Sequence, residues 1–304
     1  MFREQREFPE FIGLSLTVRC QAKCIYCPAD RGRLINPKDM PFELAAKIID
    51  EASLNDRVKT VHLSENGEAL LSPHFLDIFY YLRKKMPYVR VMLHTNMEKM
   101  DKRMAQEVLK LKLNEILPNM DGASKTTFEY AKGINFENVK KNLIDFIDLR
   151  DRMDSDCKIT IQVLSPNRYL RRVVGIDTDI PDDSTQVKEY WTPLLGPQDK
   201  IVVMRGGYRW AIRDKVKRIK TGPCLFLNKN GVNPSAYIAP SGAMYVCCLD
   251  ENARVVFGNV WNDSIESIWN GERRRSIMNK LNMRRYEQIG EPCIYCDQSP
   301  LPNL

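Results

Sequence analysis

The stretch Cys20-Gln21-Ala22-Lys23-Cys24-Ile25-Tyr26-Cys27 places three cysteines in one short loop, spaced C-x3-C-x2-C. It follows residues 11–18, FIGLSLTV, an apolar run that predicts a buried strand ending at the loop. Three thiolates on one loop can bind three irons of a four-iron cluster, which leaves the fourth iron without a protein ligand. An open coordination position is typical of a catalytic metal centre. The residues alone keep a zinc knuckle as an alternative, although such a site usually recruits a nearby histidine and the first histidine is His62.

The composition is typical of a folded protein that keeps its cysteines reduced. The chain has 304 residues, 43% hydrophobic and 28% charged, enough for about two domains. No apolar run approaches the ~20 residues of a membrane span, and the acid-containing N-terminus does not resemble a signal peptide. Nine cysteines without a secretion signal predict a cytoplasmic protein whose cysteines bind metal rather than form disulfides.

The first two thirds of the chain alternates strand and helix patterns. Apolar and β-branched runs predict strands at residues 11–18, 58–63, 89–94, 115–119, 159–164 and 200–204. Helical spacing of apolar residues predicts helices at residues 42–52, 75–86, 103–113 and 139–150. This alternation is typical of a parallel sheet with right-handed crossovers. We therefore expect an α/β fold, a partial (β/α)6 TIM-like barrel, over residues 1–205.

The pattern changes after residue 205. Short strands are predicted at 236–238 and 243–247, and helices at 264–269 and 273–282. A domain this small needs stabilisation beyond its hydrophobic core, for example by a metal cluster. Residues 206–304 are therefore predicted to form a small α+β cluster-binding domain.

The cysteine triplet, with an aromatic residue directly before its last member, resembles the signature of the radical S-adenosylmethionine (radical SAM) superfamily. The segment Ser64–Leu71 resembles the Gly-Gly-Glu-Pro loop of that family, with Asn66 and Ala69 in place of a Gly and the Pro. Thr95-Asn96-Met97 resembles its Thr-Asn-Gly segment, and residues 119–122, NMDG, resemble its Ser-x-Asp-Gly segment.

The resemblance implies that these segments bind S-adenosylmethionine at the carboxyl ends of the barrel strands. Gly67 would let the backbone approach closely, and Glu68 would supply a carboxylate for the ammonium group. Taken singly, each residue has a structural alternative, but their order along the chain favours one site. The implied cofactor-binding residues are Tyr26, Asn66, Gly67, Glu68, Thr95, Asn96, Asn119 and Gln162. The three histidines suggest no acid–base pair, and we expect structural roles for them.

The segment from Gly242 to Cys296 resembles the SPASM or twitch extension, which carries an auxiliary four-iron cluster in many radical SAM enzymes. A four-cysteine zinc site fits the same residue types. The resemblance implies the auxiliary ligands Cys224, Cys247, Cys293 and Cys296.

Cys248 follows one of these ligands directly. Adjacent side chains of an extended segment point to opposite faces, so Cys248 faces away from the auxiliary cluster if Cys247 faces toward it. A thiol in the barrel mouth could donate a hydrogen atom to a substrate radical. A buried cysteine without a role, or Cys248 as the ligand and Cys247 as the spare, are the alternatives. Cys157 precedes an apolar strand and is expected in the core.

The resemblance implies two 4Fe-4S clusters and S-adenosylmethionine as cofactors, reductive cleavage to a 5′-deoxyadenosyl radical, and removal of a hydrogen atom from an unactivated carbon. Return of a hydrogen atom by Cys248 would give epimerisation, and loss of an electron to the auxiliary cluster would give dehydrogenation. Family members with a similar layout act on sugar-like rings. Fewer than a dozen residues precede the first predicted strand, so we expect a small sugar-like substrate rather than a peptide-recognition domain. Radical modification of a ribosomally made peptide is the first alternative.

The net charge is +7, and Arg205–Lys220 is a strongly basic strip. Such a strip can bind phosphate, nucleic acid or an acidic protein, or be a solvated helix face. We expect a flavodoxin- or ferredoxin-type electron donor as partner, and neither a membrane nor nucleic acid. A cluster-bearing nucleic-acid-binding or maturation protein, and a silent scaffold with two zincs, are the other hypotheses.

Overall fold

The computed structural model describes residues 7–25, 27, 38–165, 183–205, 219–228, 230–231 and 233–296. Tyr26 and residues 206–218 of the basic strip lie outside the described residues, so the predictions made for them stay predictions.

The first half of the sheet is parallel and follows chain order. Its strands are β1 Phe11–Leu14, β2 Thr60–His62, β3 Arg90–Thr95, β4 Glu115–Pro118, β5 Lys158–Ser165 and β6 Lys200–Arg205. Every neighbouring pair from β1 to β6 is parallel, which confirms the predicted α/β fold with a parallel core. The first strand is shorter than predicted, because beyond Leu14 only isolated bridges at Ser15 and Thr17 continue it.

Helices connect the strands, as parallel neighbours require. They are α1 Phe42–Ser53, α2 Phe75–Lys85, α3 Lys102–Lys110, α4 Lys125–Lys132, α5 Phe136–Arg152 and α6 Ser184–Trp191. In the part of the chain that the structure describes, no helix is long and apolar enough to span a bilayer.

Helix α4 was not predicted from the sequence. Its first residues include two threonines, which are weak helix formers. A reciprocal capping box between Ser124 and Thr127 begins the helix, and Gly133 ends it in the left-handed conformation, with φ of 65°. These caps, rather than an apolar period, define the helix.

Strand alternation divides the side chains between a helix-facing and an inner surface. Val61 and Leu93 are fully buried in the main hydrophobic core with the helices. Their neighbours His62 and His94 project from the opposite face, into the barrel. The inner surface therefore carries polar side chains at the carboxyl ends of β2 and β3.

The C-terminal part continues the same sheet. Strand β7, Ser235–Ile238, pairs in parallel with β1, and β8, Ala243–Tyr245, and β9, Val256–Asn259, follow as antiparallel strands. Two helices come after them, α7 Ile265–Trp269 and α8 Glu272–Asn282. The strand order is β6-β5-β4-β3-β2-β1-β7-β8-β9, so hydrogen bonds join the two parts side by side. The division at residue 205 stays a prediction.

Candidate functional site

The triplet loop, residues 20–27, is held against the end of α4. Lys23 N donates to the Lys132 carbonyl at 2.8 Å, and Ile25 N donates to the Ala131 carbonyl at 3.0 Å. Gly133 permits this contact, because an added Cβ would lie 2.9 Å from the Lys23 Cβ. The backbone of α4 therefore fixes where the three thiols lie.

A buried cation lies beneath the triplet loop. Lys132 Nζ is 3.0 Å from Asp121 Oδ2, and the two side chains are 5% and 1% exposed. Burial alone would lower the pKa of Lys132, but the Asp121 carboxylate and the Cys24 thiolate outweigh it and raise the pKa. The fixed positive charge favours thiolates in the loop above it.

Cys20 would nevertheless bind a proton strongly in the absence of metal. Burial, followed by the negative charge of Glu68, raises its pKa to about 12. A thiol of this kind is a thiolate at neutral pH only when a metal replaces the proton. The assignment of the three thiols to three irons of a cluster stays a prediction.

Gly67 approaches the backbone that leads into the triplet loop, and its predicted approach to the cofactor stays a prediction. Its φ is 69°, and an added Cβ would lie 2.6 Å from the carbonyl oxygens of Thr17 and Arg19. The next residue, Glu68, donates its amide to the Arg19 carbonyl at 2.8 Å. The backbone of the Ser64–Leu71 loop is therefore in direct contact with the backbone that leads into the triplet loop.

Glu68, Thr95 and Asn96 converge as predicted. The hydroxyl of Thr95 donates to Glu68 Oε1 at 2.8 Å, and the backbone amide of Asn96 donates to Glu68 Oε2 at 2.8 Å. The carboxyl group is 2% exposed, and burial raises its pKa although both hydrogen bonds oppose the shift. Asn96 Nδ2 lies 3.8 Å from Cys20 Sγ, so this carboxylate lies beside the triplet loop.

Two more predicted residues meet at the ends of β4 and β5. Asn119 Nδ2 lies 3.3 Å from Gln162 Oε1, and the backbones of the two residues form a parallel bridge. Asn66 lies elsewhere, since its amide donates to the Tyr245 hydroxyl at 3.4 Å and to the Glu251 carbonyl at 3.3 Å. Its predicted cofactor contact stays a prediction, and its observed role is to join the Ser64–Leu71 loop to the C-terminal part.

The four predicted auxiliary ligands line one cavity. Apolar side chains, among them Phe226 and Leu227, make up much of the remaining wall. Among the residues that the structure describes, no three His, Cys, Asp or Glu side chains converge closely enough to bind a single metal ion. Thiolates are the ligands of a four-iron cluster and of a structural zinc alike. The cavity thiols are Cys224, Cys247, Cys293 and Cys296.

Cys248 is oriented differently from its neighbour. Cys247 lines the cavity, whereas Cys248 makes a side-chain hydrogen bond with Tyr237 and lies near the charge of Glu65. Tyr237 is paired with Gly13 in the sheet, so this is the barrel side of the chain. The two thiols therefore have different neighbours, and both the ligand assignment and the hydrogen-donor role stay predictions.

Sequence reasoning missed one group inside the barrel. His62 and His94, expected to have separate structural roles, lie 2.6 Å apart between Nε2 and Nδ1, and His62 Nδ1 lies 2.6 Å from Glu65 Oε1. The sequence does place each histidine at an inward-facing position near the end of its strand, and the two strands are neighbours. That the two rings touch follows only from the register of β2 against β3.

Two family models match the chain. One, described as the Radical SAM superfamily, matches residues 14–165, and the other, described as SPASM, an iron-sulfur cluster-binding domain, matches residues 230–297. No curated protein matches the chain.

Several solved structures are similar in fold. BtrN in complex with AdoMet and 2-DOIA is 15% identical over 93% of this chain and 90% of that chain, with a TM-score of 0.57. SuiB of Streptococcus suis bound to precursor peptide SuiA is 13% identical over 89% and 67%, with a TM-score of 0.59. The structure anSMEcpe with bound AdoMet is 13% identical over 89% and 83%, with a TM-score of 0.61. At these identities the likeness concerns the fold alone.

Proposed function

The chain belongs to the radical SAM superfamily and carries a C-terminal SPASM domain, and we propose that it removes a hydrogen atom from an unactivated carbon of a small, sugar-like substrate. Radical SAM domains bind S-adenosylmethionine and a 4Fe-4S cluster, and SPASM domains bind auxiliary iron–sulfur clusters. When bound, these groups supply a 5′-deoxyadenosyl radical and an electron acceptor.

The chain's own residues would bind and orient these groups. The triplet thiols would hold three irons, and Glu68, held by Thr95 and Asn96, would face the ammonium group of S-adenosylmethionine. Asn119 and Gln162 would contact the cofactor from the ends of β4 and β5. The thiols of the C-terminal cavity would hold the auxiliary cluster.

The polar inner surface of the barrel carries the proposal of a sugar-like substrate. His94, Asn119 and Gln162 are half-buried at the strand ends, where they can form hydrogen bonds with a ligand. Asn119 bonds to Gln162 and His94 bonds to His62, and hydroxyl or amino groups of a substrate could extend this polar network.

One of the similar structures supports the same substrate class. BtrN, whose structure holds AdoMet and 2-DOIA, is similar over 93% of this chain. Peptide modification remains the second candidate, because both SuiB and anSMEcpe have been solved with peptides.

A substrate panel tests the proposal. Anaerobically reconstituted protein, S-adenosylmethionine and a flavodoxin or ferredoxin reductant are incubated with cyclic polyols and aminosugars, and separately with short peptides. We expect polyols or aminosugars to raise 5′-deoxyadenosine release at least about tenfold above the level without substrate. Stimulation by peptides alone would contradict the proposed substrate class, and no cleavage in any mixture would contradict the enzyme itself.

Alanine variants of Cys247 and Cys248 test which of the two thiols is the ligand of the auxiliary cluster. We expect Cys247→Ala to lose the auxiliary cluster, about four irons per chain, because its thiol lines the cavity. Cys248→Ala should retain both clusters, because its thiol faces Tyr237. Iron analysis and the visible spectrum measure both. Loss of the auxiliary iron in Cys248→Ala, with Cys247→Ala intact, would reverse the assignment.

The same pair distinguishes the two outcomes of the reaction. An epimerase needs a hydrogen donor, so Cys248→Ala would cleave S-adenosylmethionine without forming product. A dehydrogenase would still form product, because the electron leaves through the auxiliary cluster.

A further inference from the structure

Three titratable side chains form one continuous hydrogen-bonded series inside the barrel. Glu65 Oε1 lies 2.6 Å from His62 Nδ1, and His62 Nε2 lies 2.6 Å from His94 Nδ1. The two imidazole rings meet edge to face, with their centroids 4.6 Å apart. We call Glu65, His62 and His94 the inner relay.

The sheet makes room for the inner relay. Gly13 of β1 is paired with both His62 and Tyr237. A Cβ added to Gly13 would overlap the Glu65 carboxyl group, so the glycine provides the space that this group fills. The placement of Glu65 is therefore built into the strand order.

The two ends of the inner relay have different surroundings. The side chains of His62 and Glu65 are 6% and 5% exposed, and Glu65 lies near Tyr237 of the C-terminal part. The Gln162 side chain contacts the His94 ring, and Asn119 lies beyond it. We call the His94 end the open end, because it lies beside the residues proposed to bind S-adenosylmethionine.

Hydrogen-bond chemistry gives the inner relay a direction. A Glu65 carboxylate can only accept, so His62 Nδ1 carries the proton between them. The Nε2 of a neutral His62 must then accept, so the proton on His94 belongs to Nδ1. This leaves His94 Nε2 as an acceptor at the open end. Each hydrogen bond of the inner relay is then donated in the direction of Glu65.

We propose that the inner relay accepts the hydroxyl proton of a substrate carbinol, so that the enzyme oxidises a CH–OH group to a ketone. This rests on the proposed function and selects its dehydrogenation outcome. The 5′-deoxyadenosyl radical takes the hydrogen atom of the C–H bond. The O–H bond then breaks, C=O forms, the proton passes to His94 Nε2, and the remaining electron passes to an iron–sulfur cluster.

Successive proton shifts avoid a buried imidazolium. As His94 Nε2 gains the proton, Nδ1 passes its own to His62, and His62 passes its own to Glu65. The proton thereby neutralises a carboxylate, and removing a buried charge is favourable. Burial, followed by the neighbouring His62, lowers the pKa of His94 to about 3, which keeps this ring neutral and able to accept near pH 7.

The far end of the inner relay faces the C-terminal part. Glu65 lies near the hydroxyl groups of Tyr237 and Tyr245 and the thiol of Cys248. Cys247, next to Cys248, lines the auxiliary cavity. The proton and the electron would therefore leave the substrate toward the same side of the barrel. The positive charge of the proton would then offset the negative charge of the electron.

A first experiment needs no substrate. The chain has three histidines, so labelling with 15N-histidine in the reconstituted protein gives three ring signals, and His74→Gln identifies the one outside the inner relay. We expect His94 to be neutral between pH 6 and 8, the proton of each relay histidine to lie on Nδ1, and Glu65→Gln to change the His62 pattern. Imidazolium signals from His94 at pH 7, or indifference to Glu65→Gln, would overturn the proposal.

A second experiment measures the ratio of ketone formed to 5′-deoxyadenosine released with the polyol and aminosugar panel. The ratio should fall at least about tenfold at pH 7 in Glu65→Gln and His94→Gln and recover as pH rises, because hydroxide replaces the inner relay. His74→Gln is the matched control and should keep the original ratio. Gly13→Ala, which displaces Glu65 without removing it, should lower the ratio as well.

Iron content per chain checks that each variant has folded and bound its clusters. An unchanged ratio and pH profile in both Glu65→Gln and His94→Gln would refute the inner relay. If no panel member raises 5′-deoxyadenosine release, the proposed substrate class fails, and the histidine signals decide the inner relay separately.

Discussion

Replacing Cys20, Cys24 and Cys27 together by alanine is expected to lower the iron content from about eight to about four irons per chain and to abolish 5′-deoxyadenosine release. The triplet loop supplies these thiols, whereas the auxiliary thiols line a separate cavity in the C-terminal part. Loss of one cluster should therefore leave the other. Iron and sulfide analysis, with a cleavage assay under dithionite, measures both effects.

The matched control for this variant is Cys157→Ala. Cys157 is 2% exposed and packs in the core, as predicted, so the variant should retain about eight irons. One zinc and a single cluster in the unaltered protein would contradict the auxiliary assignment. If the triple alanine variant still cleaves S-adenosylmethionine, the assignment of the triplet loop to the catalytic cluster is wrong.

Glu68→Gln is expected to weaken S-adenosylmethionine binding at least about 30-fold, because losing one partner of a buried charge pair costs about 2–5 kcal/mol. The amide retains the size of the side chain and can still accept a hydrogen bond from Thr95 or Asn96, but it has no charge for an ammonium group. Equilibrium binding to the reconstituted protein measures the change.

The pH dependence gives Glu68→Gln a second test. Burial raises the pKa of Glu68, so on acidification its carboxylate is protonated at a higher pH than that of an exposed glutamate. Binding by the unaltered protein should therefore weaken on acidification, and binding by Glu68→Gln should depend less on pH. Glu107→Gln, on the exposed face of α3, is the matched control and should bind normally. Unchanged affinity in Glu68→Gln would remove the carboxylate from the cofactor site.

The convergence of Glu68, Thr95 and Asn96 could be predicted from the sequence because neighbouring parallel strands end at the same edge of a sheet. This prediction needed only the position of each residue relative to its own strand. Cys248 lies in a turn that follows β8, so strand alternation does not explain why Cys247 and Cys248 have different neighbours.

The inner relay could not be predicted in this way. His62 and Glu65 are close in sequence, but the His62–His94 contact depends on the register of β2 against β3. The room for Glu65 depends on Gly13 of another strand. The contacts of Asn66 were not predictable for the same reason, because its partners lie far along the chain, at Tyr245 and Glu251.

The position of β1 between β2 and β7 has a consequence for biosynthesis. The first strand to leave the ribosome is completed on one side by a strand made more than two hundred residues later. Contacts of such long sequence separation form slowly, and an unpaired strand edge invites pairing with other chains. The nascent barrel must therefore keep one bare edge until its last third has been synthesised, and this interval is when a chaperone would be needed most.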